Sequence, residues 1–208
     1  RAAMALGEVG GSRAIDTLIQ TLQDGELSVR GGAVSALNHI GGSQVVLALT
    51  QALVSNDDPD VRGVIASALG QIGDRLAVDA LIQMLSHDNG VLRMTVASAL
   101  GQIGDSRAVD ALTQTLLLDD DPTVRDAAAR ALGRIGDVQA VDILTQARQW
   151  DDDPDVRSRA AQALRAIDHR ASVSIDVDGD DRKSVSEEKG LGSGPHQLTL
   201  SRTLFGKV

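Results

Sequence analysis

Asp57 to Asp74 reads DDPDVRGVIASALGQIGD, and Asp120 to Asp137 reads DDPTVRDAAARALGRIGD. Each stretch is one helix with its punctuation. Asp58-Pro59, Asp121-Pro122 and Asp153-Pro154 open helices: the Asp side chain accepts first-turn N–H groups, and Pro is tolerated at the first helical position. Further acids there, Asp60 and Asp155, suit the positive end of the helix dipole. Val61, Ile65, Leu69 and Ile72 recur at helical spacing and form one apolar face. Gly73 stops the helix, and Asp74 is placed to cap the next one. That second helix carries Val78, Leu81, Ile82 and Leu85 on its own apolar face.

Aligned on the Ala-Leu pair, the copies place Leu6, Leu37, Leu69, Leu100, Leu132 and Leu164 at intervals of 31 or 32 residues. A fixed period in this range marks a solenoid. One helical pair cannot bury both of its apolar faces, so each copy is the partner its neighbour needs. Small residues such as Ala66, Ala68 and Gly70 allow close approach between neighbours. The Trp and Tyr positions of tetratricopeptide repeats and the Thr-Pro-Leu-His opening of ankyrin repeats are missing.

The consensus DPxVRxxAxxALGxIGDxxAVDxLxQxL resembles the short HEAT-like repeat of phycobilin lyases and of many bacterial and archaeal scaffolds, over about residues 1–168. The resemblance implies an all-α, right-handed α-solenoid, armadillo-like in class, of about five helical hairpins. Arg1 aligns with Val64, so the chain enters within a first helix, as expected of a fragment or processed product. At the other end Arg157 to Asp168 supplies a first helix with no second helix after it. Arg148 replaces an expected Leu in the fifth unit, and Trp150 follows it.

Two columns recur on the second helices. Gln20, Gln51, Gln83, Gln114 and Gln146 stand two residues after a core Leu. Asp16, Asp79, Asp110 and Asp142 stand four residues before a Gln, on the same helix face, and Leu47 interrupts the column. The resemblance implies a structural ladder in which these Asp pair with the Arg opening the next unit: Arg30, Arg93, Arg125 or Arg157, with Arg62 at the same position in its own unit. It also places second helices on the inner, concave face, which makes the Gln column the expected partner-binding stripe.

Composition narrows the chemistry. Residues 1–168 carry fourteen Arg and 23 Asp plus Glu, and so the whole net charge of −9. All three lysines lie beyond, at Lys183, Lys189 and Lys207. An acidic body repels phosphate backbones, so no nucleic-acid partner is expected. The absence of cysteine excludes thiol chemistry and disulfides and fits a reducing cytoplasm. No apolar run reaches the roughly eighteen residues of a membrane span. His39, His87, His169 and His196 are scattered, and none is followed by Glu, so the di-iron pattern of some HEAT-like enzymes fails here. The acid runs Asp119–Asp121 and Asp151–Asp153 read as helix caps. Ser174 to Asp181, SIDVDGDD, places oxygens as a calcium loop does but has Val185 where the bidentate acid belongs. No catalytic residue, metal or cofactor is expected.

The last segment, 169–208, is different material. Val173, Ile175 and Val177 alternate with polar residues, as do Leu198 and Leu200, the pattern of two short strands. Between them DDRKSVSEEKGLGSGP reads as a linker. The tail is expected to be disordered, or a small hairpin capping the solenoid. The function expected is a monomeric, non-catalytic scaffold that binds another protein. The alternatives are a phycobilin lyase subunit, which attaches or detaches a bilin, and a sensor arm of a larger signalling protein.

Overall fold

The structure is a computed structural model that describes residues 11–180. Its helices run α1 (Ser12–Thr21), α2 (Leu27–Ile40), α3 (Gly42–Ser55), α4 (Pro59–Ile72), α5 (Val78–Met84), α6 (Gly90–Ile103), α7 (Val109–Leu118), α8 (Pro122–Ile135), α9 (Val141–Trp150) and α10 (Pro154–Asp180). Even-numbered elements from α2 are the first helices of successive repeats, and odd-numbered ones are the second helices. Leu6 and residues 181–208, with the expected Leu198–Leu200 strand and most of the linker, lie outside the described residues. The chain divides into two compact units, Arg1–Ala171 and Ser172–Val208.

The punctuation works as its chemistry requires. Asp58 and Asp121 accept the N–H groups of Asp60 and Thr123, each at 2.8 Å. Gly73, Gly104 and Gly136 end α4, α6 and α8 with φ of 74°, 73° and 78°. Each is followed by an Asp that caps a short 3-10 turn before the second helix: Asp74, Asp105 and Asp137 accept from Leu76, Arg107 and Gln139. The second repeat has Gly42 in place of that Asp, and there α3 begins directly after Gly41 with no 3-10 turn.

One continuous core runs through the repeats, built of Ala, Val, Leu and Ile. Its tightest points lie between neighbouring first helices. A Cβ added at Gly70, Gly101 or Gly133 would stand 2.8, 2.7 or 2.8 Å from the Cα of Ala99, Ala131 or Ala163. Gly70, Gly101 and Gly133, each closing an Ala-Leu-Gly triplet, therefore receive the Ala of the next repeat's Ala-Leu pair at backbone contact, and the periodic spelling is a packing rule.

The expected strand at Val173–Val177 is corrected. Residues 169–180 continue α10, and no strand occurs among the described residues. The position where α4, α6 and α8 carry their stop glycine is occupied in α10 by Asp168, so nothing in the backbone ends the helix there. Among the described residues the alternating run meets no ladder partner to make it a strand. Ser174 to Asp180 is likewise helical rather than a calcium loop.

Candidate functional site

All five stripe glutamines, Gln20, Gln51, Gln83, Gln114 and Gln146, are exposed, and none of their side-chain amides is hydrogen-bonded to another described residue. Each occupies the same register on α1, α3, α5, α7 or α9, opposite the buried Leu18, Leu49, Leu81, Leu112 and Leu144. Asp16, Asp110 and Asp142 are exposed without a partner among the described residues, and Asp79 accepts from Arg107 Nη1 at 3.1 Å.

The Arg ladder is present with other acids than those expected. Arg93 forks onto Asp119, Nε to Oδ2 and Nη2 to Oδ1, both 2.7 Å. Arg125 does the same with Asp151 at 3.0 and 2.9 Å. Their Nη1 atoms turn back to the carbonyls of their own loops: Arg93 to His87 and Asp88, Arg125 to Asp119. Arg157 likewise binds the Asp151 and Asp152 carbonyls at 2.8 and 3.0 Å. The expected partners Asp16, Asp79, Asp110 and Asp142 lie at the N-terminal ends of the second helices, whereas these Arg meet the C-terminal ends. A ten-residue helix such as α7 sets the two apart by about 15 Å. Asp119 and Asp151, read from the sequence as parts of capping runs, are thus inter-repeat clamps as well.

The clamp is electrostatically tight. Burial, the largest single influence, would raise the Asp119 and Asp151 carboxyls, but the hydrogen bonds from Arg93 and Arg125, the N–H groups of Asp121 and Asp153 and the guanidinium charge together outweigh it and hold both below the ordinary range. The guanidinium groups are raised in turn, chiefly by the same bonds. The first half of the array lacks this chemistry. The positions equivalent to Asp119 and Asp151 are Asn56 and His87, and the Nε atoms of Arg30 and Arg62 are buried without a hydrogen-bond partner. Among the described residues Arg62 reaches only the Val54 carbonyl, at 3.3 Å.

Two concavities open between second helices. One, of about 610 Å³ between α5 and α7, has Ile82, Leu85, Ala111 and Leu118 in its walls, with Gln114, Asp88 and Asp120. The other, of about 310 Å³ between α1 and α3, has Ile15, Leu47 and Ala48, with Asp16, Gln44 and Gln51. Leu47 thus serves as an apolar wall where the Asp column breaks. Leu118 and Trp150, each 79% exposed, stand four residues after Gln114 and Gln146 and extend the same face. The i+4 spacing of Leu118 and Trp150 from the Gln column was the signal for these additions. On the first-helix side a groove of about 550 Å³ runs over Gly31, Gly63, Val64 and Thr95. Among the described residues no three His, Cys, Asp or Glu converge on a metal position, and no helix is long and apolar enough to cross a membrane.

A family model for HEAT repeats matches residues 1–52, 46–121 and 107–165. The complex of CpcE and CpcF of phycocyanin lyase from Nostoc sp. PCC7120 is similar at 27% identity and a TM-score of 0.58, over 76% of this chain and 66% of that one. Human deoxyhypusine hydroxylase in complex with glycerol is similar at 26% identity and a TM-score of 0.54, over 80% of this chain and 78% of that one. A designed armadillo repeat protein in complex with peptide (KR)4 shares the fold alone, at 18% identity and a TM-score of 0.50 over 80% and 90% of the two chains. No curated protein matches the sequence.

Proposed function

The chain belongs to the HEAT-repeat family, and from that premise we propose that it is a non-catalytic scaffold holding a partner protein along its second helices. The observation that carries the reading is the column of five exposed, unpartnered glutamines in one register. An amide offers both donors and an acceptor, so a repeated column suits the alternating N–H and C=O groups of a bound backbone. The same reading makes the protein a cytoplasmic monomer that needs no cofactor and binds no nucleic acid.

The test is the double substitution Gln83→Arg and Gln114→Arg. Capture of the partner from a lysate of the source organism is lost, while helicity and melting stay near wild type. Capture that survives the substitutions removes the stripe as the binding surface.

The likeness to the phycocyanin lyase complex supports a second reading, a bilin lyase subunit. It expects visible absorbance changes on mixing with a bilin and an apo-phycobiliprotein. Handling a tetrapyrrole calls for aromatic or basic groove residues, and the stripe offers mostly Asp and Gln, with Trp150 as its aromatic residue, which is why the scaffold reading stands first. A third reading, the sensor arm of a larger signalling protein, is a scaffold in the same physical terms.

A further inference from the structure

We infer that the second-helix face takes an extended cationic segment of its partner, with Lys or Arg side chains seated in the two pockets between second helices. The inference rests on the scaffold reading and names the chemistry of the partner.

Lys and Arg lay a three- or four-carbon stem along apolar surface and keep the charged head at a polar rim. Both pockets have that form. Between α5 and α7 the stem meets Ile82, Leu85 and Leu118, and the head meets Asp88, whose carboxylate has no partner among the described residues, with Asp120, which also takes Arg93 Nη2, at the edge. Arg93 also lines this pocket, forked onto Asp119 and touching Asp120 at 3.1 Å, so the lining carries three carboxylates against one guanidinium. Between α1 and α3 the stem meets Ile15, Leu47 and Ala48, and the head meets Asp16, with no cation among the described residues of the lining.

Spacing adds a constraint. The pockets are two repeats apart, or about 20 Å at ordinary interhelical distances. An extended chain covers that in about six residues. Between the two anchors its backbone passes the exposed amides of Gln51, Gln83 and Gln114.

The probe is a fluorescein-labelled peptide of about twelve residues, rich in Ser, Thr and Val, with two Lys about six positions apart. Controls carry Gln or Glu at both Lys positions. Fluorescence anisotropy is expected to show binding of the Lys peptide alone, weakened by added salt. Asp16→Lys with Asp88→Lys weakens it by about tenfold or more, and Leu118→Ser weakens it with melting unchanged.

Equal binding of the Gln peptide, or Lys-peptide binding unaffected by the charge reversal, overturns the inference. So does self-association that the same reversal abolishes, because the face then belongs to a second copy of the chain. A lysate partner lost from Gln83→Arg/Gln114→Arg while the Lys peptide fails leaves the scaffold reading standing and removes only the cationic occupant. Capture unchanged by those two substitutions removes both.

Discussion

Replacing Asp151 by Asn tests the inter-repeat clamp through a single functional group. Asp151 does two jobs: Oδ1 accepts the Asp153 N–H at 3.0 Å, and both oxygens take the Arg125 fork. Asn keeps the first job, as Asn56 shows by accepting the Asp58 N–H at 2.9 Å in the second repeat. It loses the charge and half of the fork. Breaking a fully buried pair costs about 3–5 kcal/mol, and an exposed pair about 0–1 kcal/mol. Arg125 and Asp151 are 10% and 8% exposed, which places the pair toward the buried end. Arg125 keeps the Asp119 carbonyl and the Asp152 carboxylate, which reduces the loss to about 2 kcal/mol. For a chain of this size that lowers Tm by about 4–8 °C, read by circular dichroism. Hydrogen exchange then rises first in α8 and α9.

The acid response carries the same signature. Because the folded Asp151 carboxyl lies below its ordinary value, its contribution is complete above the unfolded pKa, near 4, and is lost as pH falls through the lower folded value. The gap between wild type and Asp151→Asn therefore closes in acid. A Tm difference below about 1 °C at neutral pH, or a gap that persists well below the folded value, refutes the clamp.

Supplying the missing carboxylates works in the opposite direction. His87→Asp and Asn56→Asp offer Arg62 and Arg30 the partner that Arg93 and Arg125 have, and each raises stability by about 1 kcal/mol in denaturant melts. An unchanged or lower midpoint rejects the equivalence of these loop positions. Gly101→Val sets a branched side chain where a Cβ already comes 2.7 Å from the Ala131 Cα, and destabilises by about 2 kcal/mol even after the gain in helix propensity. Gly63→Ala, with nothing within 4 Å of the added Cβ, stabilises by up to about 1 kcal/mol. Effects of equal sign at these two glycines contradict the backbone-contact rule.

The fold was legible because one spelling serves several physical needs at once. Asp58-Pro59, the Val61 to Ile72 face and Gly73 each point to the same helix, and the 31- or 32-residue interval points to its neighbour. The Gln column was legible for a similar reason, since an exposed position kept in register needs only the period to be found. The clamp was not. Periodicity tells which residues share a helix face, but the fork from Arg93 to Asp119 crosses from the start of one helix to the loop after the next. The end of α10 escaped as well, because Val173, Ile175 and Val177 fit a period of two while the absent glycine at Asp168 lets the helix run on. A missing stop is harder to read than a stop.

The loop position that holds Asp119 and Asp151 explains how an array can lose a clamp without losing its register. Its first task is local: the side chain accepts the N–H two residues on, which sets the entry to the following helix. Asp119, Asp151, Asn56 and even His87, through Nδ1, all perform it, at distances of 2.9 to 3.1 Å. The second task, charge pairing with the preceding repeat's Arg, is open only to the acids. Asn56 and His87 keep the turn and drop the pair, and the cost appears where it should, in the buried Nε atoms of Arg30 and Arg62. In a solenoid, stability is close to a sum of repeat and nearest-neighbour terms. The interfaces bridged by Arg93–Asp119 and Arg125–Asp151 are therefore the firm part of the array, and those around Arg30 and Arg62 are the compliant part. The pocket between α1 and α3 lies in the compliant part, and the pocket between α5 and α7 borders the first firm rung. A segment seated in both would be gripped at one fixed and one adjustable point, which is how a repeat surface accommodates a partner whose two anchors are not spaced at its own period.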